Sequence, residues 1–441
     1  MYFNDLNIQH YIKEALEELN FEEMKPVQEQ VIPLALSGSN LIVQSQTGSG
    51  KTHAFLIPIL DQMNDQLNEV QAVITAPSRE LAEQIFKMAE QINQFHERGI
   101  RIVNYVGGTD KQRQLDKLGP DNQPHLVIGT PGRIFDLMSE HALWVQTCQI
   151  FVVDEADMTL DMGFLNIVDD IASRMPEKLQ MMVFSATIPQ ALEVFLNKYM
   201  DKPQRITIEN QHVIASTIKN YLLNTKGKDR KEMTYQLLTM GHPFLALIFT
   251  NTKQYADELA AYLKDKGLKV AKIHGDVESR ERKRIMKQIR NLEYQYVVAT
   301  DLAARGIDIP GTSMVINTEI PKELEYFIHR VGRTGRNGLE GYAYTLYSPD
   351  DDSEVSKLED KGIEFITLDL IQGKLVERSS RDRRIQRKNT KIINDPEVNR
   401  LIIRHKNKKV KPGYKRKLQR EIKAHQSFKA KQKGRQQKKI K

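Results

Sequence analysis

The chain has 441 residues, 40% of them hydrophobic, and it carries 65 Lys and Arg against 57 Asp and Glu. Its apolar runs are shorter than the ~20 residues that a membrane-spanning helix needs, and its first residues lack the basic start and apolar core of a signal peptide. The single cysteine, Cys148, excludes an internal disulfide and a cysteine metal site. It favours a reducing cytoplasm, where we expect an inert, half-buried thiol.

The positive charge is concentrated at the C-terminal end. From Arg381 onward there are 24 Lys and Arg against 4 Asp and Glu, whereas the preceding part has 41 against 53. A basic tail on an acidic body is typical of proteins that bind a polyanion, usually nucleic acid. Taken alone, the tail is equally compatible with a solvated, disordered segment. Within it, a short helix is predicted only at Pro396–Arg404.

Short apolar strands alternate with longer amphipathic segments along the chain. A helix is predicted over Ser78–Phe95, where apolar residues recur at helical spacing. This alternation predicts an α/β fold, with a parallel sheet covered by helices on both faces and ligands beyond the carboxyl ends of the strands. The first predicted strands are Leu41–Val43, Ala72–Thr75, Ile102–Val106, Leu126–Ile128, Ile150–Val153, Met181–Phe184 and Arg205–Ile208.

The pattern then restarts, which predicts two α/β domains in tandem. We assign the first domain to residues 1–210, the second to residues 211–376 and the basic, largely disordered tail to residues 377–441. The predicted strands of the second domain are Leu245–Phe249, Val270–Ile273, Tyr296–Ala299, Met314–Ile316 and Gly341–Tyr347.

A glycine-rich loop between the first strand and the next apolar segment has the pattern of a phosphate-binding loop. Glycines let backbone N–H groups turn onto phosphate oxygens, and the following helix N-terminus adds partial positive charge. We therefore expect ATP here, with Lys51 reaching the β- and γ-phosphates and the Thr52 hydroxyl holding Mg²⁺. The common pattern has Gly at the first position of this loop, which reads Ser45-Gln46-Thr47-Gly48-Ser49-Gly50-Lys51-Thr52.

The acidic run Asp154-Glu155-Ala156-Asp157 follows the predicted strand Ile150–Val153. An acidic residue at such a strand end is the second holder of Mg²⁺ in phosphate-loop enzymes. We expect Asp154 to hold the ion through a bridging water, and Glu155 to orient and deprotonate the attacking water. Because these four letters occur by chance in about one chain in a hundred of this length, a solvated acidic turn is the alternative.

The segment His329-Arg330-Val331-Gly332-Arg333-Thr334-Gly335-Arg336 places three arginines close together in the second domain. Phosphoryl transfer needs positive charge at the γ-phosphate in the transition state, and arginine fingers that supply it are worth ~10³–10⁵ in turnover. Fingers in one domain and a phosphate loop in the other predict ATP at the domain interface. The alternative is a basic surface loop, which the interspersed glycines disfavour.

With these three elements in this order, the chain resembles the DEAD-box RNA helicases over residues 3–373. The resemblance implies two tandem RecA-like domains, an ATP-dependent RNA helicase activity, and ATP and Mg²⁺ as cofactors. It also implies an adenine-recognition segment at residues 1–29, in which Phe21 stacks on adenine and Gln28 reads its edge. Asp308 is the position that holds the ribose, and Lys25 stands where the family has Thr.

The resemblance assigns three further sets of residues. The finger positions are Arg333 and Arg336. The positions that couple the ATP state to unwinding are Asp157, Ser185, Thr187 and His329. The RNA-contact positions, whose groups contact phosphates and carry no base information, are Arg79, Gly108, Thr130, Arg133, Arg282, Thr300 and Gly306.

Within the family, Gln44-Ser45-Gln46-Thr47-Gly48 and Ile74-Thr75-Ala76-Pro77 resemble a bacterial cold-shock subgroup. This resemblance implies RNA remodelling at low temperature, ribosome assembly or mRNA turnover in the cytoplasm. The ribosome or the RNA-degradation machinery would be partners, and no membrane is expected. Two rival hypotheses stay open: an ATP-gated RNA clamp that rarely turns over, and a DNA helicase, since 2′-hydroxyl contacts decide between RNA and DNA.

Overall fold

The computed structural model describes residues 1–45, 48–208, 214–215, 217–301, 311–321, 323–335 and 339–378, and only the backbone of residues 279 and 325. Residues Met1–Glu377 form one compact unit. Within this unit the chain builds two largely parallel sheets in succession, with helices between the strands. The predicted tandem α/β architecture is confirmed, while the predicted helix Pro396–Arg404 lies outside the described residues.

The first sheet has seven strands, all parallel. They are β1 (Leu41–Gln44), β2 (Ala72–Thr75), β3 (Ile102–Tyr105), β4 (Leu126–Gly129), β5 (Ile150–Val153), β6 (Gln180–Ser185) and β7 (Gln204–Thr207). Their order is β3-β4-β2-β5-β6-β1-β7. Every residue of β2, β4, β5 and β6 is buried, as expected for parallel strands covered on both faces.

Helices cover both faces of the first sheet. The phosphate-loop helix begins at Lys51, directly after the glycine-rich loop, and its segment Ala54–Leu60 is fully buried. The helices are α1 (His10–Glu18), α2 (Pro26–Leu36), α3 (Lys51–Asp61), α4 (Arg79–Asn93), α5 (Lys111–Leu115), α6 (Pro131–Ser139), α7 (Ala156–Asp161), α8 (Leu165–Ala172) and α9 (Gln190–Tyr199).

The second sheet has eight strands, of which only the last is antiparallel. They are β8 (Ile218–Asn224), β9 (Ala246–Thr250), β10 (Val270–Ile273), β11 (Tyr296–Thr300), β12 (Met314–Asn317), β13 (Gly341–Tyr347), β14 (Ile366–Ile371) and β15 (Lys374–Glu377). Their order is β10-β11-β9-β12-β13-β8-β14-β15. The described helices are α10 (Arg230–Gly241), α11 (Lys253–Asp265), α12 (Ser279–Arg290), α13 (Leu324–Val331) and α14 (Asp352–Asp360).

Each sheet has an apolar core on either face, because successive strand residues point to opposite sides. In β5, Val152 packs into one core and Phe151 into the other. In β9, Phe249 and Ile248 divide in the same way between the two cores of the second sheet. This double coverage leaves the carboxyl edges of the strands as the open places for a ligand.

The structure differs from the expectations in two places. Strand β8 and the hairpin of β14 and β15 were not predicted, because β8 interrupts its apolar residues with Lys219 and Asn220. Cys148 is completely buried rather than half-buried, since it lies in the core beneath β2 and β5. Among the described residues no helix is long and apolar enough to cross a bilayer.

Candidate functional site

The glycine-rich loop turns sharply between β1 and α3. Gly48 and Gly50 adopt left-handed backbone angles, with φ of +87° and +101°. A Cβ atom at Gly50 would lie 2.9 Å from the Gln28 amide nitrogen, so the close approach of these two segments also requires glycine there. Gln46 and Thr47 lie outside the described residues, and the rest of the loop has the strand–loop–helix placement predicted from the sequence.

Lys51 is buried at the start of α3 and forms an ion pair with Glu155. The distance from its Nζ to the Glu155 carboxylate is 2.9 Å, and a longer contact of 3.4 Å reaches the Ser45 carbonyl oxygen. Burial disfavours the ammonium, but the carboxylates of Glu155 and Asp154 outweigh this and raise the pKa of Lys51. The lysine is therefore held charged in a water-poor site, where its field on a phosphate is strong.

Asp154 and Glu155 follow β5 at its carboxyl end and are 3% and 8% exposed. Glu155 has a φ of +47°, a costly angle for a residue with a side chain, and it occupies the position just before α7. Burial raises the pKa of Asp154 to about 7. Burial acts on Glu155 in the same direction, but Lys51, His329 and Arg333 hold its pKa below the ordinary value.

The predicted coupling residues of the first domain form one hydrogen-bonded network. The Asp157 carboxylate accepts from the Thr187 backbone N–H at 2.9 Å and from the Thr187 hydroxyl at 3.2 Å. The Ser185 hydroxyl accepts from the Asp157 backbone N–H at 3.0 Å and donates to the Thr187 carbonyl at 2.7 Å. The carboxyl end of β6 is thus tied to the acidic run that follows β5.

The second domain brings α13 and the residues after it to the same place. His329 and Arg333 line the same cavity as Lys51 and Glu155, and Arg333 is 9% exposed. The Arg333 Nε donates to the His329 carbonyl oxygen at 3.2 Å, which holds the guanidinium against its own helix end. Tyr326 on the same helix donates a hydrogen bond of 2.8 Å to Asp161 of the first domain. Arg336 lies outside the described residues.

Arg330, the third arginine of this segment, has a different environment. Its side chain is 1% exposed and bonds to both oxygens of Asp301. It also donates to the Glu319 carbonyl at 2.8 Å and to the Asn251 side chain at 2.7 Å. These contacts join the end of β11 to α13, so Arg330 is a structural residue of the second domain.

A cavity of about 640 Å³ lies between the two sheets' carboxyl edges, within the size range of small-molecule sites. From the first domain it is lined by Lys51, Thr52, Asp154 and Glu155, and from the second by His329 and Arg333. The structure therefore joins the predicted phosphate loop, acidic run and arginine segment in one space. Ser45 and Gln28 are buried but do not line it.

The predicted adenine-recognition segment lies beside the cavity, and Phe21 lines it. The Gln28 side chain accepts from the Lys25 backbone N–H at 2.8 Å and donates to the Gly50 carbonyl at 3.1 Å. Sequence reasoning missed His53, whose ring centre is 4.7 Å from that of Phe21. Burial, assisted by the charge of Lys25, lowers the pKa of His53 to about 4.

The oxygen donors of this cavity fit Mg²⁺. The Thr52 hydroxyl and the Asp154 carboxylate belong to the same lining. Mg²⁺ prefers oxygen ligands, keeps several waters, and is usually bound by one or two protein groups together with substrate phosphates. The described residues contain no group of three acidic, histidine or cysteine side chains arranged as a metal cage, so a dedicated all-protein site of that kind is not found there.

The predicted RNA contacts of the first domain lie at the carboxyl ends of β2, β3 and β4. Arg79 begins α4, and a Cβ at Gly107 would be 3.2 Å from its guanidinium, so the bare backbone there makes room for the arginine. Arg133 donates to the Thr109 carbonyl at 3.3 Å. Burial lowers the pKa of Arg79, the Glu80 carboxylate opposes this, and the positive charges of Arg282 and Arg133 lower the pKa further. These arginines therefore form one positive cluster around Glu80.

Arg282 on α12 reaches this cluster from the second domain. Its Nε donates to the Glu80 carboxylate at 2.5 Å, and the two side chains are 17% and 15% exposed. Thr300 is buried at the carboxyl end of β11, paired in register with Thr250 of β9. Gly108 has a φ of +78°, and Thr130 occupies the N-cap position of α6 without a capping hydrogen bond from its side chain. Gly306 and Asp308 lie outside the described residues.

Comparison with known proteins identifies the relatives of this chain. The sequence matches the DEAD/DEAH box helicase family over residues 25–195 and the helicase conserved C-terminal domain over residues 229–338. It is 50% identical to the DEAD-box ATP-dependent RNA helicase CshB of Listeria monocytogenes, covering 94% of this chain and 95% of that protein. It is 47% identical to CshB of Bacillus subtilis, and this match covers 100% of this chain and 99% of that protein.

Solved structures share the same fold. Dbp5 of S. cerevisiae bound to RNA and ADP BeF3 aligns with a TM-score of 0.75 and 29% identity, covering 83% of this chain and 95% of that chain. Mss116p bound to ssRNA and AMP-PNP aligns with a TM-score of 0.72 and 26% identity, and this alignment covers 92% of this chain and 85% of that chain.

Proposed function

The chain belongs to the DEAD-box ATP-dependent RNA helicases, and we propose from that premise that it hydrolyses ATP between its two domains to open short RNA duplexes and remodel RNA–protein complexes. The observation that carries this proposal is the shared cavity. Lys51, Asp154 and Glu155 line it from one domain, and His329 and Arg333 line it from the other. A site divided in this way works only when both domains are together.

In this mechanism Lys51 changes partner when ATP binds. Its ammonium now pairs with Glu155 at 2.9 Å, and a triphosphate in the cavity would attract it more strongly than one carboxylate does. Glu155 would then lose its nearest cation, so its pKa would rise from the depressed value and it would become a better proton acceptor. ATP binding thus activates the residue that we assign to deprotonate the attacking water.

The remaining roles follow the chemistry of each side chain. Thr52 and Asp154 would hold Mg²⁺, which when bound neutralises charge on the phosphate oxygens. Arg333, together with Arg336, would stabilise the charge that develops on the γ-phosphate in the transition state. Phe21, Gln28 and Asp308 would hold the adenosine, and Gln28 would exchange its contacts with Lys25 and Gly50 for the base edge.

RNA would lie across both domains and favour their closed arrangement. Arg79, Gly108, Thr130 and Arg133 would contact its backbone from the first domain, and Arg282, Thr300 and Gly306 from the second. The network of Asp157, Ser185 and Thr187, with His329 opposite, would connect the cavity to this RNA face. RNA binding and ATP binding would therefore each strengthen the other.

The cellular role follows the relatives. The cold-shock subgroup resemblance is confirmed by the CshB proteins at 47% and 50% identity. We infer a cytoplasmic enzyme acting in cold adaptation, ribosome assembly or mRNA turnover, with the ribosome or the RNA-degradation machinery as partners. We assign the domains to residues 1–210 and 211–376 and a phosphate-binding tail to residues 377–441, where the excess of Lys and Arg supplies sequence-independent affinity that salt weakens.

The test is ATP turnover by the full chain with and without single-stranded RNA, beside the Glu155→Gln variant. The proposal expects RNA to stimulate turnover and the variant to bind ATP and RNA with little turnover. Turnover that RNA leaves unchanged, or full activity in the variant, would contradict it. Stimulation of ATP turnover by single-stranded DNA of the same sequence would indicate a DNA helicase. A long-lived RNA complex without strand separation would indicate an ATP-gated clamp.

A further inference from the structure

Helix α12 carries an unusual concentration of positive charge. Its twelve residues, Ser279–Arg290, include six Lys or Arg and one acidic residue, Glu281. This excess occurs in a body, residues 1–380, that has more acidic than basic side chains. A helix face that only needs to be solvated usually mixes both signs, so the excess on α12 calls for a separate explanation.

The charges are arranged as a stripe. At about 100° per residue, five of the basic side chains fall within about a third of the helix circumference. Met286 and Ile289 are buried on the opposite side against the second sheet. All five stripe residues are exposed, and they are Arg280, Lys283, Arg284, Lys287 and Arg290.

The stripe has few counter-charges. Arg284 pairs with Glu281 at 2.9 Å, on a surface where the arginine is 68% exposed. Such an exposed pair contributes little and is readily exchanged for another anion. Within the part of the chain that the structure describes, no acidic side chain forms an ion pair with Lys283, Lys287 or Arg290. These three ammonium and guanidinium groups are presented to solvent.

The helix that carries the stripe lies beside the RNA face that we propose for the two domains. Helix α12 follows β10 at its carboxyl end, and Arg282 in its first turn reaches Glu80 beside the cluster of Arg79 and Arg133. Strand β10 is one of the two edge strands of the second sheet. Arg282 lies about 140° around the helix from the middle of the stripe, so α12 reaches the positive cluster with one side and carries the stripe along the outer flank of the second domain.

Length and chemistry both fit a nucleic acid backbone. Twelve helical residues span about 18 Å, and each strand of a duplex carries one phosphate for about every 3.4 Å of the duplex axis. The stripe is thus long enough to face several phosphates with its five basic side chains. We propose that the exposed face of α12 binds the phosphate backbone of the RNA that flanks the strand held between the two domains, and so retains the duplex beside the site that opens it.

This inference rests on the proposed RNA helicase function, and one experiment separates the two. The stripe variant replaces Lys283, Arg284, Lys287 and Arg290 with Gln in the full chain, and leaves Arg280 and Arg282 in place. Gln keeps the helix propensity of Lys and Arg. A matched control replaces four other exposed lysines with Gln, away from the carboxyl edges of the strands: Lys178, Lys202, Lys357 and Lys361.

Two RNAs distinguish the stripe from the central RNA face. One is a single strand just long enough to cross the two domains, and the other is the same strand extended by a duplex. Because the basic tail is present in every protein, its contribution is the same in each comparison. Affinities are measured over a range of salt concentrations, and ATP turnover is measured at saturating amounts of each RNA.

The stripe variant is expected to bind the short strand like the parent, and to bind the extended RNA on the order of tenfold more weakly. The slope of log affinity against log salt for the extended RNA should fall by about 3, near one for each lost phosphate contact. Turnover at saturating RNA should stay unchanged. Photo-crosslinks from the duplex part should map to α12 in the parent and the control.

The inference is overturned if the stripe variant and the control bind the extended RNA equally, with equal salt slopes. It is also overturned if the stripe variant loses affinity for both RNAs alike, since that would reflect a change in the central face. Failure of RNA to stimulate ATP turnover by the parent would instead refute the proposed function. An equal thermal unfolding midpoint for the three proteins checks that the substitutions leave the fold intact.

Discussion

Arg282 of the second domain and Glu80 of the first are joined by a hydrogen-bonded ion pair of 2.5 Å. Both side chains are largely shielded from solvent, so the pair is screened less than a surface ion pair. Glu80 directly follows Arg79, and Arg282 is itself one of the residues to which we assign RNA contact. The pair therefore connects the approach of the two domains to the surface that we assign to RNA.

This pair predicts non-additive effects. Glu80→Gln and Arg282→Gln should each lower RNA-stimulated kcat/KM for ATP, because each removes the bridge between the domains. The double variant should have a kcat/KM no lower than that of Arg282→Gln alone. This result corresponds to a coupling free energy of about 1 kcal/mol or more between the two residues. The measurement is a double-mutant cycle on RNA-stimulated turnover. The control is Lys198→Gln, which removes an exposed ion pair. The bridge would be contradicted if the losses of the two single variants simply add. It would also be contradicted if Glu80→Gln were as active as the control.

Arg330 is predicted to stabilise the second domain. It is 1% exposed and holds both oxygens of Asp301, so Arg330→Met leaves that carboxylate without its cation. We expect the free energy of unfolding to fall by about 3–5 kcal/mol in chemical denaturation. The control is Lys219→Gln, which removes an exposed ion pair with Glu340 and should change stability by less than about 1 kcal/mol. Equal effects of the two substitutions would refute the structural role.

The sequence predicts local features well, because local features carry their own signals. The strands that flank the phosphate loop and the acidic run are continuous apolar segments, and the glycines mark the turn between β1 and α3. The bond from Arg282 to Glu80 spans 202 positions of sequence, and no periodicity encodes it. Arg330 and Arg333 differ by three positions in one segment, yet only the packing of β11 against α13 separates the structural residue from the one that lines the cavity.

His53 illustrates what tertiary packing adds. It follows the phosphate-loop threonine in the sequence, where a helical histidine has no distinctive pattern. In the structure it lies against Phe21, with a ring-centre distance of 4.7 Å. Its position could be found only once the segment containing Phe21 was placed beside α3.

His53 is predicted to make the first domain sensitive to acid. Burial lowers its pKa in the folded state to about 4, below the ordinary 6.5. The unfolded chain therefore takes up the proton first, and stability is lost as the pH falls from about 6.5 towards 4. Between pH 7.5 and pH 4.5, the free energy of unfolding of the parent should fall by about 2 to 3 kcal/mol more than that of His53→Gln. Urea unfolding of both proteins at the two pH values measures this difference, and parallel pH profiles would refute it.

Cys148 is predicted to be unreactive while the protein is folded. It is fully buried, and burial raises the pKa of its thiol to about 12. Since only the thiolate reacts, alkylation by iodoacetamide at pH 8 should be at least about a thousandfold slower than in denaturant. Mass spectrometry of timed samples measures the rate, with Cys148→Ala as the blank. A folded-state rate within about tenfold of the denatured rate would show that the thiol is accessible.

The division of the ATP site between two domains is tested most directly by Arg333→Gln. The parent, the variant and an exposed-arginine control, Arg98→Gln, are compared in ATP affinity without RNA and in turnover with saturating RNA. If Arg333 acts from the second domain on the transition state, the variant keeps its ATP affinity without RNA, while its RNA-stimulated kcat falls by about 10³-fold or more. RNA-stimulated turnover within about tenfold of the parent, with the control unchanged, would contradict a catalytic site shared by the two domains.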